Sequence, residues 1–287
     1  MPAINCHRCK ELISDQENQC PFCGAPQKTE RAARVMTGGL FGDPNNILSW
    51  IVGTNIFLYV CSVGLNFEAA FSMENGLFGL GSPDFKALHL LGLTGGVPWH
   101  CGHWWTLLTA SFLHGSLLHI FFNLSWLRQL GTITIVVLGP SRFAFTYLVT
   151  GVGGFLLSNL WSGVPTIGAS CSLFGLMGLL ICFGQRRGGT WGKQLNRQVW
   201  AWAIVGFVFG LIIPMVNNAG HVGGFLSGYL LGYTFPKQEG THESGGLKLV
   251  TSGMLVIALI GFGLSYWKIS AVLDNFQAFL RYGVCQF

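Results

Sequence analysis

One serine, two histidines and an asparagine stand in the apolar part of this chain at spacings suited to acyl transfer. Ser170 opens an apolar helical segment within residues 168–178, GASCSLFGLMG. His221 lies near the start of a second glycine-rich segment, 220–232, GHVGGFLSGYLLG. A serine hydroxyl becomes a nucleophile when a neighbouring base takes its proton, and histidine both accepts that proton and returns it to the leaving amine. His119 and Asn123, four residues apart, share one helix face. Ionisable and amide groups inside a span are costly and mark function. As hydrogen-bond donors, these two suit a developing oxyanion.

The placement of acids narrows the chemistry. No Asp or Glu lies between Asp84 and Glu239. A pair of catalytic aspartates is therefore excluded, and no HExxH motif is present for zinc-dependent hydrolysis. A Ser-His-Asp triad lacks its acid unless a loop reaches in. What remains is a Ser-His dyad, with His221 as base toward Ser170. A helix N-terminus at Ser170 adds backbone N–H groups that have no intrahelical partner and favour negative charge.

The scaffold that must position these groups is helical and membrane-embedded. Hydrophobic residues make up 51% of the 287 and charged residues only 9%, with a mean hydropathy of +0.50. Ordinary soluble domains carry about 25% charged residues. Seven windows are apolar enough to be spans: 48–67, 113–130, 143–161, 170–184, 199–216, 220–235 and 249–267. Thirteen of the 16 Lys and Arg fall on one side of this arrangement. The positive-inside rule then puts the N-terminus in the cytoplasm and the C-terminus outside. The net charge of +5 is largely this topological signal and needs no nucleic acid.

The fourth window is short. Its 15 residues rise about 22 Å, against a hydrocarbon core of about 30 Å. With its cytoplasmic end fixed by Arg186 and Arg187, Ser170 falls below the outer surface, so a water-filled recess is expected. Glycines at 220, 224, 228 and 232 make one stripe of the sixth window, and Cys171, Gly175 and Gly178 make a similar small face on the fourth. Such faces allow close backbone approach. His221 shares its face with Gly224 and Gly228, so it points toward the close partner.

The first 47 residues differ. Cys6-His7-Arg8-Cys9 and Cys20-Pro21-Phe22-Cys23 are two CxxC knuckles, and the four cysteines can close a tetrahedral zinc site. Disulfides are disfavoured on the cytoplasmic side. The outer loop, 68–112, is rich in Gly, Phe, Leu and Trp and ends in Trp99-His100-Cys101-Gly102-His103-Trp104-Trp105, read as an interfacial aromatic belt.

Together these residues resemble the rhomboid family of intramembrane serine proteases over residues 49–235. His114-x4-His119-x3-Asn123 resembles the family's second-helix motif. Gly168-Ala169-Ser170 resembles its nucleophile motif GxSG, and Gly220-His221-x-Gly223-Gly224 its base motif. The resemblance implies Ser170 as nucleophile, His221 as base, and His119, Asn123 and the Ser170 amide as oxyanion donors. His114 would be a structural hydrogen-bonder beside the site, Phe122 part of a substrate gate, and 214–220 a lid. Gly168, Cys171 and Gly224 are the small residues beside the reacting groups. The seventh span resembles a 6+1 arrangement. Cys171 stands where the family usually has Gly, and Trp105-Thr106 where the outer loop usually has Trp-Arg.

The expected fold is an all-α polytopic membrane protein: a rhomboid-like six-helix core, 47–236, a seventh helix with an outer tail, 237–287, a zinc ribbon, 1–27, and a linker, 28–46. The expected activity is cleavage of peptide bonds in or near transmembrane segments of other proteins, in a bacterial-type cell membrane. No catalytic cofactor is implied beyond structural zinc in the ribbon, and the ribbon's partner is unknown. The competing class is a catalytically inactive rhomboid-like protein that binds transmembrane helices. A transporter would spread polar groups along a through-path, whereas here they gather near the outer ends of three helices.

Overall fold

The computed structural model describes residues 3–6, 8–9, 11–14, 19–25, 44–70, 79–213, 216–236 and 244–271. Most of the expected linker, the first two residues of the expected lid and the tail beyond Ala271 lie outside the described residues. The chain divides into two units, Met1–Ile47 and Leu48–Phe287. In the first, strands β1 (Ala3–Asn5) and β2 (Leu12–Ser14) pair antiparallel, with Ile4 opposite Ile13.

The second unit is helical. Helix α1 (Pro44–Gly64) leads into an outer loop that carries short helices α2 (Phe67–Ala70), α3 (Phe85–Leu90), α4 (Gly96–His100) and α5 (Thr106–Thr109), followed by a 3-10 turn at Ala110–Phe112. Six long elements follow: α6 (Leu117–Leu138), α7 (Pro140–Trp161), α8 (Ser170–Arg187), α9 (Gly189–Ile212), α10 (Asn218–Leu231) and α11 (Gly245–Ser270). The fold is that of an all-α polytopic membrane protein.

Boundaries follow local chemistry. Ser116 caps α6 by accepting from the His119 amide at 3.3 Å, and Ser244 caps α11 by accepting from Leu247 at 3.2 Å. Between α6 and α7 stands Gly139 at φ +94°, followed by Pro140 at the first helical position. Positive φ suits glycine, and proline lacks only an amide that would be unpaired there, so two helices meet with one residue between them. The second and third spans are longer than their apolar windows for this reason.

Five helices, α1, α6, α7, α9 and α11, are long and apolar enough to cross a membrane. Helices α8 and α10, expected as the fourth and sixth spans, have 18 and 14 residues. Every α8 residue from Cys171 to Gly184 is buried. It packs most extensively on α10 and α7. A helix enclosed by protein need not match the bilayer's thickness or supply lipid-facing side chains, and so can be short and rich in glycine. The peripheral helices carry exposed apolar side chains, among them Leu211, Ile212, Leu230 and Leu259. Large exposed apolar faces of this kind suit a bilayer.

Candidate active site

Ser170 is the first residue of α8 and is half-buried. The loop before it is cross-braced to the outer loop at three points. The Gly96 amide donates to the Gly163 carbonyl at 2.6 Å, and Thr94 and Thr166 form a backbone bridge, with Thr166 donating to Thr94 at 2.8 Å. The Gly168 amide donates to the Ala110 carbonyl at 2.9 Å. The loop before Ser170 is thus pinned by sequence-distant backbone.

His221 is held by a ring stack and a hydrogen bond, and its helix by the neighbouring cap. His221 is buried on the first turns of α10, its ring stacked on Phe174 with centroids 4.2 Å apart and planes 12° apart. Its Nδ1 lies 3.0 Å from Asn218 Oδ1. An amide oxygen only accepts, so Nδ1 carries the proton and Nε2 is left as the basic lone pair. Asn217 next to it caps α10, accepting from the Ala219 and Gly220 amides at 3.1 and 3.4 Å. Its side-chain nitrogen donates to Ser158 Oγ at 2.7 Å and to Thr166 Oγ1 at 3.0 Å, tying α10 to the loop before Ser170.

Helices α8 and α10 touch through backbone. A Cβ on Gly224 would fall on the Cys171 carbonyl, one on Gly228 on the Gly175 carbonyl, and one on Gly178 on the Phe225 carbonyl. The Cys171 side chain points away from Gly224. Its sulfur occupies a notch left by Gly154 and Gly220, against Ala110 and Phe155. No hydrogen bond joins the Ser170 hydroxyl to His221, or to any other group, among the described residues.

His119 faces the same loop. A Cβ on Gly168, whose φ is +122°, would lie 2.7 Å from His119 Nε2 and 3.9 Å from Ser170 Oγ. His119 Nδ1 accepts from the Gly115 amide at 3.2 Å, so in the neutral ring the proton sits on Nε2, beside the loop before Ser170. Asn123 is buried, but its amide donates back to the His119 carbonyl at 2.9 Å, along its own helix. His114 is fully buried, edge-on to His119 at 5.1 Å, and neither of its ring nitrogens has a hydrogen-bond partner among the described residues. Its ring packs against that of His119.

Residues 101–238 match the family described as the Rhomboid domain. Over these residues the chain is similar to rhomboid-family proteins. Its relatives include Rhomboid protease GluP of Bacillus subtilis, 29% identical over 56% of this chain and 31% of that protein. RHOMBOID-like protein 7 of Arabidopsis thaliana is 33% identical over 58% of this chain and 55% of its own. Inactive RHOMBOID-like protein 8 of the same plant is 30% identical over 43% of this chain and 36% of its own. The chain therefore spans from about a third to about half of these relatives' lengths.

The α6–α9 seam is spanned by aromatic side chains. Phe122 meets Phe209 at 6.2 Å, and Trp126 meets Trp202 edge-on at 5.4 Å. Asn217, Asn218 and Phe174 were not picked out by sequence. The signal was there in their spacing: Asn218 is three residues before His221 and Phe174 four after Ser170, both on the facing sides of their helices.

At the N-terminus, Cys6, Cys9, Cys20 and Cys23 place their sulfurs within 4.8 Å of one another. Cys6 Sγ is 3.6 Å from Cys23 Sγ, and Cys9 Sγ is 3.5 Å from Cys20 Sγ. Thiolates on a tetrahedral zinc lie about 3.8 Å apart, given zinc–sulfur bonds near 2.3 Å. The four can therefore hold a metal ion. The Cys9 amide, hydrogen-bonded to the Cys6 sulfur, pulls that thiol down to about 6 against the opposing effect of burial.

Proposed function

We propose that this chain is a rhomboid-family intramembrane serine endopeptidase that cleaves peptide bonds in or near transmembrane segments of other proteins. The observation that carries the reading is the His221 ring: its Nδ1–H donates to Asn218 Oδ1 at 3.0 Å, and its helix is in backbone contact with the one that begins at Ser170. Nε2 takes the Ser170 proton as Oγ attacks the substrate carbonyl. His119 Nε2–H and the Ser170 amide stabilise the oxyanion, and the imidazolium returns its proton to the leaving amine. Water then repeats the sequence on the acyl-enzyme. A substrate helix enters by parting the aromatic contacts of the α6–α9 seam, and must unwind there to present a peptide bond.

A fluorophosphonate probe is expected to label the wild type but neither Ser170→Ala nor His221→Ala. Labelling that survives Ser170→Ala would move the nucleophile elsewhere. Asn218→Ala is expected to slow labelling about 10–100-fold, because a hydrogen bond to a ring that becomes charged is worth about 1.5–3 kcal/mol. Asn218→Asp should retain most of the rate. If Asn218→Ala labels as fast as wild type, the ring is oriented by Phe174 alone.

The second reading, an inactive binder of transmembrane helices, is favoured by the missing Ser170–His221 hydrogen bond and by the inactive plant relative. A wild type that binds a transmembrane peptide yet never labels would decide for it.

Orientation with residues 1–47 in the cytoplasm is supported by the Lys and Arg distribution and by Cys101, on the outer loop, being disulfide-bonded. Disulfides persist in oxidising compartments. The ribbon is then a cytoplasmic zinc module for a partner, joined through 28–46 to the protease core. With four thiolates around the ion, no position stays open for catalysis. Purified protein should carry one zinc ion, and a strong chelator should remove it without changing Ser170 labelling. Protein free of zinc, or Cys6→Ser protein with its zinc intact, would overturn the ribbon assignment.

A further inference from the structure

The seventh span is not needed to bring Ser170 and His221 together, yet it is fitted closely to the outer loop. Its buried residues Thr251, Ala258, Gly261, Ser265 and Ile269 fall on one stripe, and α11 packs against α3, α5 and α7. At Ser265 the hydroxyl accepts a hydrogen bond from Trp105 Nε1 at 2.9 Å. One turn earlier, Gly261 lets the same segment reach the helix backbone. A Cβ there would lie 3.0 Å from Thr109 Cγ2 and 3.3 Å from Trp105 Cβ.

The segment so held runs straight to the nucleophile loop. Thr106, beside Trp105, donates to Thr94 Oγ1 at 3.0 Å, and Asn159 donates to the same oxygen at 3.1 Å. Thr94 is the residue bridged to Thr166, and Ala110, after Thr109, accepts the Gly168 amide. Backbone and hydroxyl contacts therefore connect α11 with the residues preceding Ser170 without a break. Thr106 lacks a guanidinium to anchor this loop, and the grip on its neighbour Trp105 comes from α11 instead.

We propose that α11 is an intramolecular brace: through Trp105 and Thr109 it fixes the outer loop, and thereby the backbone of residues 163–169 that presents Ser170. Trp105, Gly261 and Ser265 are positioning residues; none touches the reacting atoms. The consequence for rate rests on the serine-protease reading, whereas the fixing of the loop does not.

The test uses the full chain in lipid nanodiscs and compares Gly261→Leu with Gly263→Leu, two residues away on the same helix, where an added Cβ meets nothing within 4 Å. Gly261→Leu is expected to speed amide hydrogen exchange over residues 163–169 by about tenfold or more, since local opening then becomes cheaper. It should slow fluorophosphonate labelling while leaving the affinity for an uncleaved transmembrane peptide unchanged. Gly263→Leu should match wild type in both. If Gly261→Leu does not fold, Ser265→Ala should show the same pattern at about threefold, with recovery in Ser265→Thr. Exchange unchanged in folded Gly261→Leu, or equally fast in Gly263→Leu, overturns the brace. A wild type that never labels would defeat the protease reading and leave the exchange comparison to decide the brace.

Discussion

Replacing His119 with phenylalanine is expected to slow acylation of Ser170 by about 10²–10³-fold, the usual cost of one lost oxyanion donor. The expectation rests on which nitrogen carries the proton. The Gly115 amide can only donate, so its 3.2 Å contact makes Nδ1 the acceptor, and the proton is left on Nε2. That nitrogen is the one a Cβ on Gly168 would crowd at 2.7 Å. Phenylalanine keeps the edge-on packing against His114 and removes both nitrogens. The lost Gly115 contact should cost about 1 kcal/mol of stability, which thermal unfolding measures separately. Affinity for an uncleaved transmembrane peptide should not change, because the donor acts on charge that exists only in the transition state. Asn123→Ala should cost much less, since its amide is already engaged by the His119 carbonyl. A His119→Phe rate within about threefold of wild type would leave oxyanion stabilisation to the Ser170 amide alone.

The residues proposed to react were legible because their chemistry is rare in apolar sequence. A histidine or a glycine repeat inside a span is conspicuous, and period-four spacing says which face it occupies. The helix pair of Ser170 and His221 could be read that way, and so could the four-cysteine cluster. What was hidden was contact between distant segments. Nothing in Thr94 or Thr166 alone signals a backbone bridge between the outer loop and the nucleophile loop. Boundaries were obscured where polar and apolar residues share a helix. Helix α9 begins at Gly189, ten residues before its apolar window, because Lys193 and Arg197 can lie along a helix at the membrane edge. Asn123 shows the opposite limit: spacing placed it on the right face, but its own helix carbonyl takes its amide.

Gly224→Val is expected to lower Ser170 labelling by at least about 10²-fold, while Cys171→Gly leaves it close to wild type. The two positions lie against each other but tolerate opposite changes. At Gly224 a Cβ would meet the Cys171 carbonyl carbon at 2.9 Å, and its oxygen more closely still. Backbone cannot rotate away as a side chain can, so α8 and α10 must separate. Overpacking of that kind costs about 1–3 kcal/mol or more, and a displacement of about 1 Å between reacting groups is worth about 10² in rate. Wild-type labelling by folded Gly224→Val would mean that the helices are not in backbone contact. At Cys171 the side chain points elsewhere, into the notch where a Cβ on Gly220 would lie 2.8 Å from its sulfur and one on Gly154 3.0 Å. Cys171→Gly empties that notch and frees the first turn of α8, so about 1–2 kcal/mol of stability should be lost with the dyad geometry kept. A rise in rate for Cys171→Gly would instead mark the thiol as an obstruction. The thiol fits because glycines at 154 and 220 leave space for it, whereas at 224 the facing group is main chain and only hydrogen can be accommodated.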